Sequence, residues 1–232
     1  MLILSESWQT AHPEAHIGIL TMRNVATPDH APALDERKAA LEAKLREQFD
    51  GQTRSAIKAL PTIRAYAGYY KQFKKTYHVQ HQLESVALKG RDIPRTAALV
   101  EAMFMAELEN LLLTAGHDLD AVRQPVTVHS AEGTESYAGI SGQELVLKAG
   151  DMFIADAEGV LSSIIYGPDR RTKIGPETRN VLFTVYAPAG IAAEDVDKHL
   201  RSIRDYVHLV APGAEAEELR VYSAGSRNQQ TR

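Results

Sequence analysis

The chain has 232 residues, a net charge of −4, 44% hydrophobic and 24% charged residues, and no cysteine. That suits a soluble globular protein with one large core or two small ones, and it leaves no disulfide, thiolate nucleophile or cysteine-held metal. An acidic total argues against a protein that coats nucleic acid with its whole surface.

Residues 16–25 begin with His-Ile-Gly-Ile-Leu-Thr-Met and predict a core strand. His16-Ile17-Gly18-Ile19 is close to the nucleotide-binding signature of class I synthetases. Its last residue is wrong and no partner lysine loop follows, so the core strand is the better reading. Residues 32–49 predict a helix with both signs of charge on its outer face, ended by Gly51. In the next predicted helix, residues 61–73, Tyr66, Tyr69, Tyr70 and Phe73 fall on one stripe. Core packing explains that stripe better than base stacking does. Residues 79–88 predict a further helix. His78, His81 and Glu84 drift around its axis, which fits a polar surface face better than a metal site. No metal or cofactor is expected.

Residues 95–113 predict a longer helix with Val100, Met103, Phe104, Leu108, Leu111 and Leu112 on its apolar face. Glu107 lies near the centre of that stripe. A carboxyl there must find a donor, take up a proton or line a cavity. His117-Asp118 offers either an oriented general base or a turn, and the turn is favoured. Strands are expected at 126–129, 144–147, 152–155, 160–166 and 181–186, separated by glycine turns. A helix at 193–210 and a short strand at 219–222 follow. The helix-rich first half and strand-rich second half predict one α+β domain over residues 1–222, with a flexible tail at 223–232.

Two segments concentrate positive charge. Residues 64–95 hold seven Lys or Arg and two acids, a local +5 that leaves −9 for the rest of the chain. Within and beside this segment, Lys74, Lys75 and Arg91 are candidate polyanion contacts. Residues 169–182 run from Asp-Arg-Arg-Thr-Lys through Gly-Pro to an apolar strand, so that Arg171 and Lys173 could hold an anion beside an apolar pocket. The alternative is a solvated turn. The sequences G-x-x-x-x-G-K-[ST], G-x-G-x-x-G after a strand and G-x-S-x-G are absent, so ATP-driven and serine-nucleophile chemistry have no visible home. No apolar run is long enough to span a membrane. Residues 1–10 carry Glu6 and no positive leader, so a cytoplasmic location is expected.

Several of these segments occur together in a known order. They are Lys89-Gly90-x-x-Ile93-Pro94, Asp118-Leu119-Asp120, Gly150-Asp151, Glu158-Gly159-Val160, and Arg171-Thr172-Lys173 followed by Thr178-Arg179-Asn180-Val181-Leu182. Over roughly residues 15 to 210 the chain resembles the B3/4 domain, the editing and tRNA-binding module of the phenylalanyl-tRNA synthetase β chain, and especially its free-standing form. The resemblance implies a β-sandwich-like mixed core with surrounding helices. It also implies tRNA or aminoacyl-tRNA as partner, and a cleft that takes a mischarged aminoacyl group and hydrolyses its ester. The aminoacylation centre belongs to another polypeptide in that family. Asp118 becomes a structural turn position.

Three positions that read the tyrosine hydroxyl in the family fall on Phe104, Ala115 and Thr184. Only Thr184 keeps a hydroxyl. The resemblance therefore implies a pocket around Phe104, Ala115 and Thr184 that prefers an apolar side chain to tyrosine, and the positions of Glu107 and His117 add them to the expected pocket. With no side-chain nucleophile, hydrolysis would rest on a positioned water, backbone donors and the substrate's own hydroxyl. A non-catalytic sensor of amino-acid-like molecules, which kept the cleft and lost RNA, is the alternative.

Overall fold

This computed structural model describes residues 2–28 and 31–225. The end of the expected tail, residues 226–232, lies outside them. Two elements that periodicity did not announce come first, β1 (Leu2–Leu4) and α1 (Glu6–Ala11). Ser5 caps α1 by accepting the Trp8 N–H at 3.2 Å, and the helix buries Trp8. Then come β2 (His16–Arg23), α2 (Pro32–Gln48), α3 (Arg54–Ala59), α4 (Pro61–Gln72), α5 (His78–Leu83) with a π turn at Glu84–Leu88, and α6 (Ala98–Asn110). The second half holds β3 (Leu113–Asp118), β4 (Val126–Ser130), β5 (Ser136–Ala138), β6 (Glu144–Val146), β7 (Met152–Asp156), β8 (Gly159–Ser163), β9 (Gly167–Pro168), β10 (Val181–Ala187), α7 (Ala193–Val210) and β11 (Glu215–Ser223).

The α+β class expected from the sequence is the class found. One sheet has the order β11-β2-β10-β3, all antiparallel. A second has the order β1-β4-β7-β8-β9, with β1 parallel to β4 and the rest antiparallel. A small hairpin pairs β5 with β6.

Alternation along the strands sets the layers. One face of the four-stranded sheet carries Gly18, Thr114, Gly116 and Val185 and meets α6 and α7, where Thr114 Oγ1 lies 2.7 Å from His199 Nε2. The opposite face carries Ala115, His117, Thr184 and Tyr186. It meets the five-stranded sheet, where Ser162 Oγ sits 2.7 Å from the Tyr186 hydroxyl. A continuous apolar cluster runs through these layers from Leu2 to Ala224.

The aromatic stripe of α4 lies in the core. Each of its phenols is anchored to a strand or strand end: Tyr66 to the Tyr186 carbonyl, Tyr70 to the Ile164 carbonyl at 2.6 Å, and Tyr69 to Asp151 Oδ1 at 3.0 Å. Glu84 departs from the expected surface face. It is buried, and its Oε1 accepts from Gln80 at 2.7 Å and Arg54 at 2.8 Å.

The helix expected at 95–113 is shorter at both ends. Leu111 takes a left-handed conformation, φ 62°, and turns the chain into β3. Its carbonyl accepts the Tyr77 hydroxyl at 3.0 Å.

Gly18 explains the glycine inside a core strand. A Cβ there would stand 2.7 Å from Val196 Cγ1 and 3.2 Å from Leu200 Cδ1, so α7 lies directly on the backbone of β2. Gly18→Ala is expected to cost about 1 kcal/mol by forcing α7 outward. A shift of the urea midpoint at constant slope would report this, and an unmoved midpoint would mean that α7 yields freely.

Candidate functional site

A cleft of about 470 Å³ opens where the β3 edge, α6 and the β8–β9 connection meet. Its walls are largely apolar: Val100, Met103 and Phe104 from α6, Leu113 and Ala115 from β3, Ile164 and Ile165 after β8, and Ile174. Ile140, from the β5–β6 turn, stands at its border and is 52% exposed. Polar residues are few: Glu107, Thr114, Ser163, Tyr166, Tyr186, His78 and Lys173. An apolar cavity with sparse, directed polar groups suits a small organic group.

Glu107 is the chemically distinctive lining residue. It is 1% exposed, its Oε1 accepts the Thr114 backbone N–H at 2.8 Å, and its Oε2 has no protein partner. Burial raises its pKa to about 8, with the Thr114 bond acting in the opposite direction.

The expected pocket residues divide. Phe104, Glu107 and Ala115 line the cleft. Thr184 is the ladder partner of Ala115, but it is fully buried behind the wall and its hydroxyl has no partner. His117 is also fully buried and does not line the cleft. Its Nδ1 lies 2.8 Å from Thr172 Oγ1 and its Nε2 lies 3.0 Å from Ser162 Oγ.

The tautomer of His117 follows from its neighbours. Thr172 gives its own hydroxyl proton to Asp169 Oδ1, so it accepts from His117 Nδ1–H. Nε2 then accepts from Ser162, and Ser162 Oγ lies beside the Tyr186 hydroxyl. Burial lowers the His117 pKa to about 3, helped by the nearby Arg171 charge. The imidazole is thus a neutral link that joins the two sheets and positions Tyr186 from behind.

The basic residues divide as well. Lys173 lines the cleft and is exposed, and Lys75 holds its ammonium 5.5 Å above the ring of the cleft residue Tyr166. Lys74, next to it, is exposed at the end of α4 with φ 56°. Arg171 does not present a free guanidinium. It meets Asp156 at 2.8 Å, Glu158 at 3.4 Å and Asp169 at 3.7 Å, and also donates to the Ala121 carbonyl. Arg91 is exposed and not among the cleft residues, and its carbonyl is held by Arg46 of α2.

Ser163, Tyr166, Tyr186 and Ile140 were not singled out from the sequence. Period-two reading of 181–186 could have put Tyr186 on the Ala115 face. Nothing local marks the 163–168 connection, because only the pairing of β8 with β9 brings it to the β3 edge.

A second cleft, about 480 Å³, lies between α4 and the 11–15 turn, lined by Arg64, Gly68, Gln72 and Pro188 among others. Asp118, expected as a turn former, accepts from the Asp120 N–H at 3.0 Å and from Thr178 Oγ1 at 2.8 Å. Among the described residues, no group of three or more His, Asp or Glu could hold a metal, and no helix is long and apolar enough to cross a membrane.

A family model described as the B3/4 domain matches residues 63–217, which includes every residue of the α6–β3 cleft. Among solved structures, an N-terminal fragment of the phenylalanyl-tRNA synthetase β-subunit from Pyrococcus horikoshii is similar, with a TM-score of 0.50 and 14% identity. The match covers 93% of this chain and 50% of that one, so this chain spans about half the length of that structure. At this identity the likeness is one of fold alone. No curated protein matches the chain.

Proposed function

Because the chain belongs to the B3/4 domain family, we propose that it interacts with tRNA, takes an apolar aminoacyl group into the α6–β3 cleft and hydrolyses the ester in trans. The observation that carries this reading is the joining of an amino-acid-sized apolar cleft to a cationic border, Lys173 in its lining and Lys75 beside Tyr166. Lysines at the border suit the phosphates next to the acylated end, while the apolar wall suits the acyl side chain. The serine of the lining, Ser163, accepts the Tyr166 N–H at 3.0 Å, and among the described residues no histidine is bonded to it that would activate it as a nucleophile. Hydrolysis would use a water held against backbone donors and the ribose hydroxyl next to the ester.

The test is tRNA binding across a salt series, together with deacylation of Phe-, Leu-, Ile- and Tyr-tRNA. Binding should weaken as salt rises. Joint Lys75→Glu and Lys173→Glu reversal should flatten the log–log slope by roughly 1–2, since each phosphate contact in a single strand contributes about 0.7. Lys74 is the next residue to reverse. Binding that ignores both salt and the reversals would refute the reading.

One observation favours a second reading, a sensor of amino-acid-like molecules that does not use RNA. Arg171, the centre of the most basic run, is neutralised by three carboxylates. Salt-independent binding of free amino-acid amides with no tRNA binding would select it.

A further inference from the structure

We infer that Glu107 is the acceptor for a ligand ammonium group, so that the cleft selects apolar groups bearing an amine. The inference rests on the cleft reading above and names the class of occupant. Glu107 is the only carboxyl in the lining, and Lys173 is its cationic counterpart. Thr114 occupies Oε1, which leaves Oε2 in need of a donor.

The phenols that feel the charge of Glu107 cannot supply that donor. Tyr66 of α4 gives its proton to the Tyr186 carbonyl, Tyr70 to the Ile164 carbonyl, and Tyr77 to the Leu111 carbonyl. Tyr186, on the facing wall, lies against the carbonyl and hydroxyl of Ser162. His78, also in the lining, is exposed at the start of α5 and makes no hydrogen bond to Glu107 Oε2. None of these side chains donates to Oε2, which leaves it open to a donor carried by the occupant.

Left alone, this carboxyl is driven toward its neutral form by burial. An entering ammonium reverses that, because a charge-assisted bond to the carboxylate replaces the unmet acceptor. Lys173 repels the same ammonium and attracts an anion. An aminoacyl ester on a nucleotide carries both charges, an α-ammonium and a phosphate. Glu107 and Lys173 together would orient it one way round and would discriminate against acyl groups whose amine is missing or blocked.

The experiment is calorimetric titration of the whole protein at pH 6 with phenylalaninamide and with 3-phenylpropanamide, which share ring and amide and differ in the ammonium. The wild-type protein should prefer the amine by on the order of tenfold or more. Glu107→Gln keeps an acceptor for the Thr114 N–H and should lose the preference while still binding 3-phenylpropanamide. Equal wild-type affinities, no binding of either amide, or a preference that survives in Glu107→Gln would each overturn the inference. The wild-type comparison decides even if the variant fails to fold. A protein that binds tRNA in a salt-dependent way but ignores the ammonium refutes the role of Glu107 alone. One that selects the ammonium but ignores tRNA refutes the proposed function alone.

Discussion

Replacing His117 with leucine is expected to lower stability by about 3–5 kcal/mol, although the side chain does not line the cleft. The imidazole bonds Thr172 on one side and Ser162 on the other, between the two sheets and with no exposure. Leucine fills much of the volume, but it leaves a hydroxyl on each side with one bond fewer in a dry interior. The measurement is denaturant unfolding. Removal of a catalytic base would instead leave stability nearly unchanged and abolish turnover. A stable His117→Leu protein without deacylation activity would therefore refute the structural role described here. His117→Gln, which has both a donor and an acceptor, should recover part of the loss.

The second large effect is a fall in stability on the alkaline side of neutrality. Burial raises Glu107 from 4.5 to about 8 and Asp151 from 3.8 to about 7. Over those ranges the folded protein holds protons that the unfolded chain has released, so stability declines as pH rises toward the folded values. His117 and His199 are lowered by burial from 6.5 to about 3, and they work the other way: stability is lost as pH falls below 6.5. Between about pH 4.5 and 6.5 the two carboxyls and two histidines offset one another. Four further histidines, His12, His16, His78 and His129, are also lowered and tilt that range toward greater stability at higher pH. Stability should be greatest near pH 6–7 and fall by about 2–3 kcal/mol by pH 8, at about 1.4 kcal/mol per proton per pH unit. Urea titrations from pH 5 to 8.5 would trace the curve. Glu107→Gln should remove most of the alkaline decline, and an undiminished decline in that variant would place its source elsewhere.

The long elements were legible where an apolar stripe is regular, as in 61–73, or where mixed charges mark an outer helix face, as in 32–49. The predicted helices at 32–49, 61–73 and 193–210 and the strand at 181–186 agree closely with the structure. β3 was hidden. Leu-Thr-Ala-Gly-His-Asp has little β-branched character, and it follows a helix whose apolar stripe runs on into Leu111 and Leu112. What ends that helix is the left-handed Leu111, a conformation that its residue type does not advertise.

The site was partly legible for a similar reason. Glu107 stood out as a charge within an apolar stripe, and helix geometry carries such a residue inward whatever the rest of the fold. Arg171 shows the opposite case. Its charge was visible, but Asp156 and Glu158 reach it only through the β7–β8 turn. Pairings made by tertiary structure convert an apparent anion site into an ion-pair cluster, and local sequence cannot anticipate that.

The strand order has a consequence for how the chain acquires its shape. β2 is made early, yet both of its neighbours, β10 and β11, lie between residues 181 and 223. β1 likewise waits for β4, more than a hundred residues later. During synthesis, the apolar run Ile17–Met22 has no strand to pair with until nearly all of the described chain has emerged. The loop-closure cost is met before any of these ladders forms. Assembly should therefore be slow and late, with β2 as the segment most in need of chaperone cover until β10 arrives.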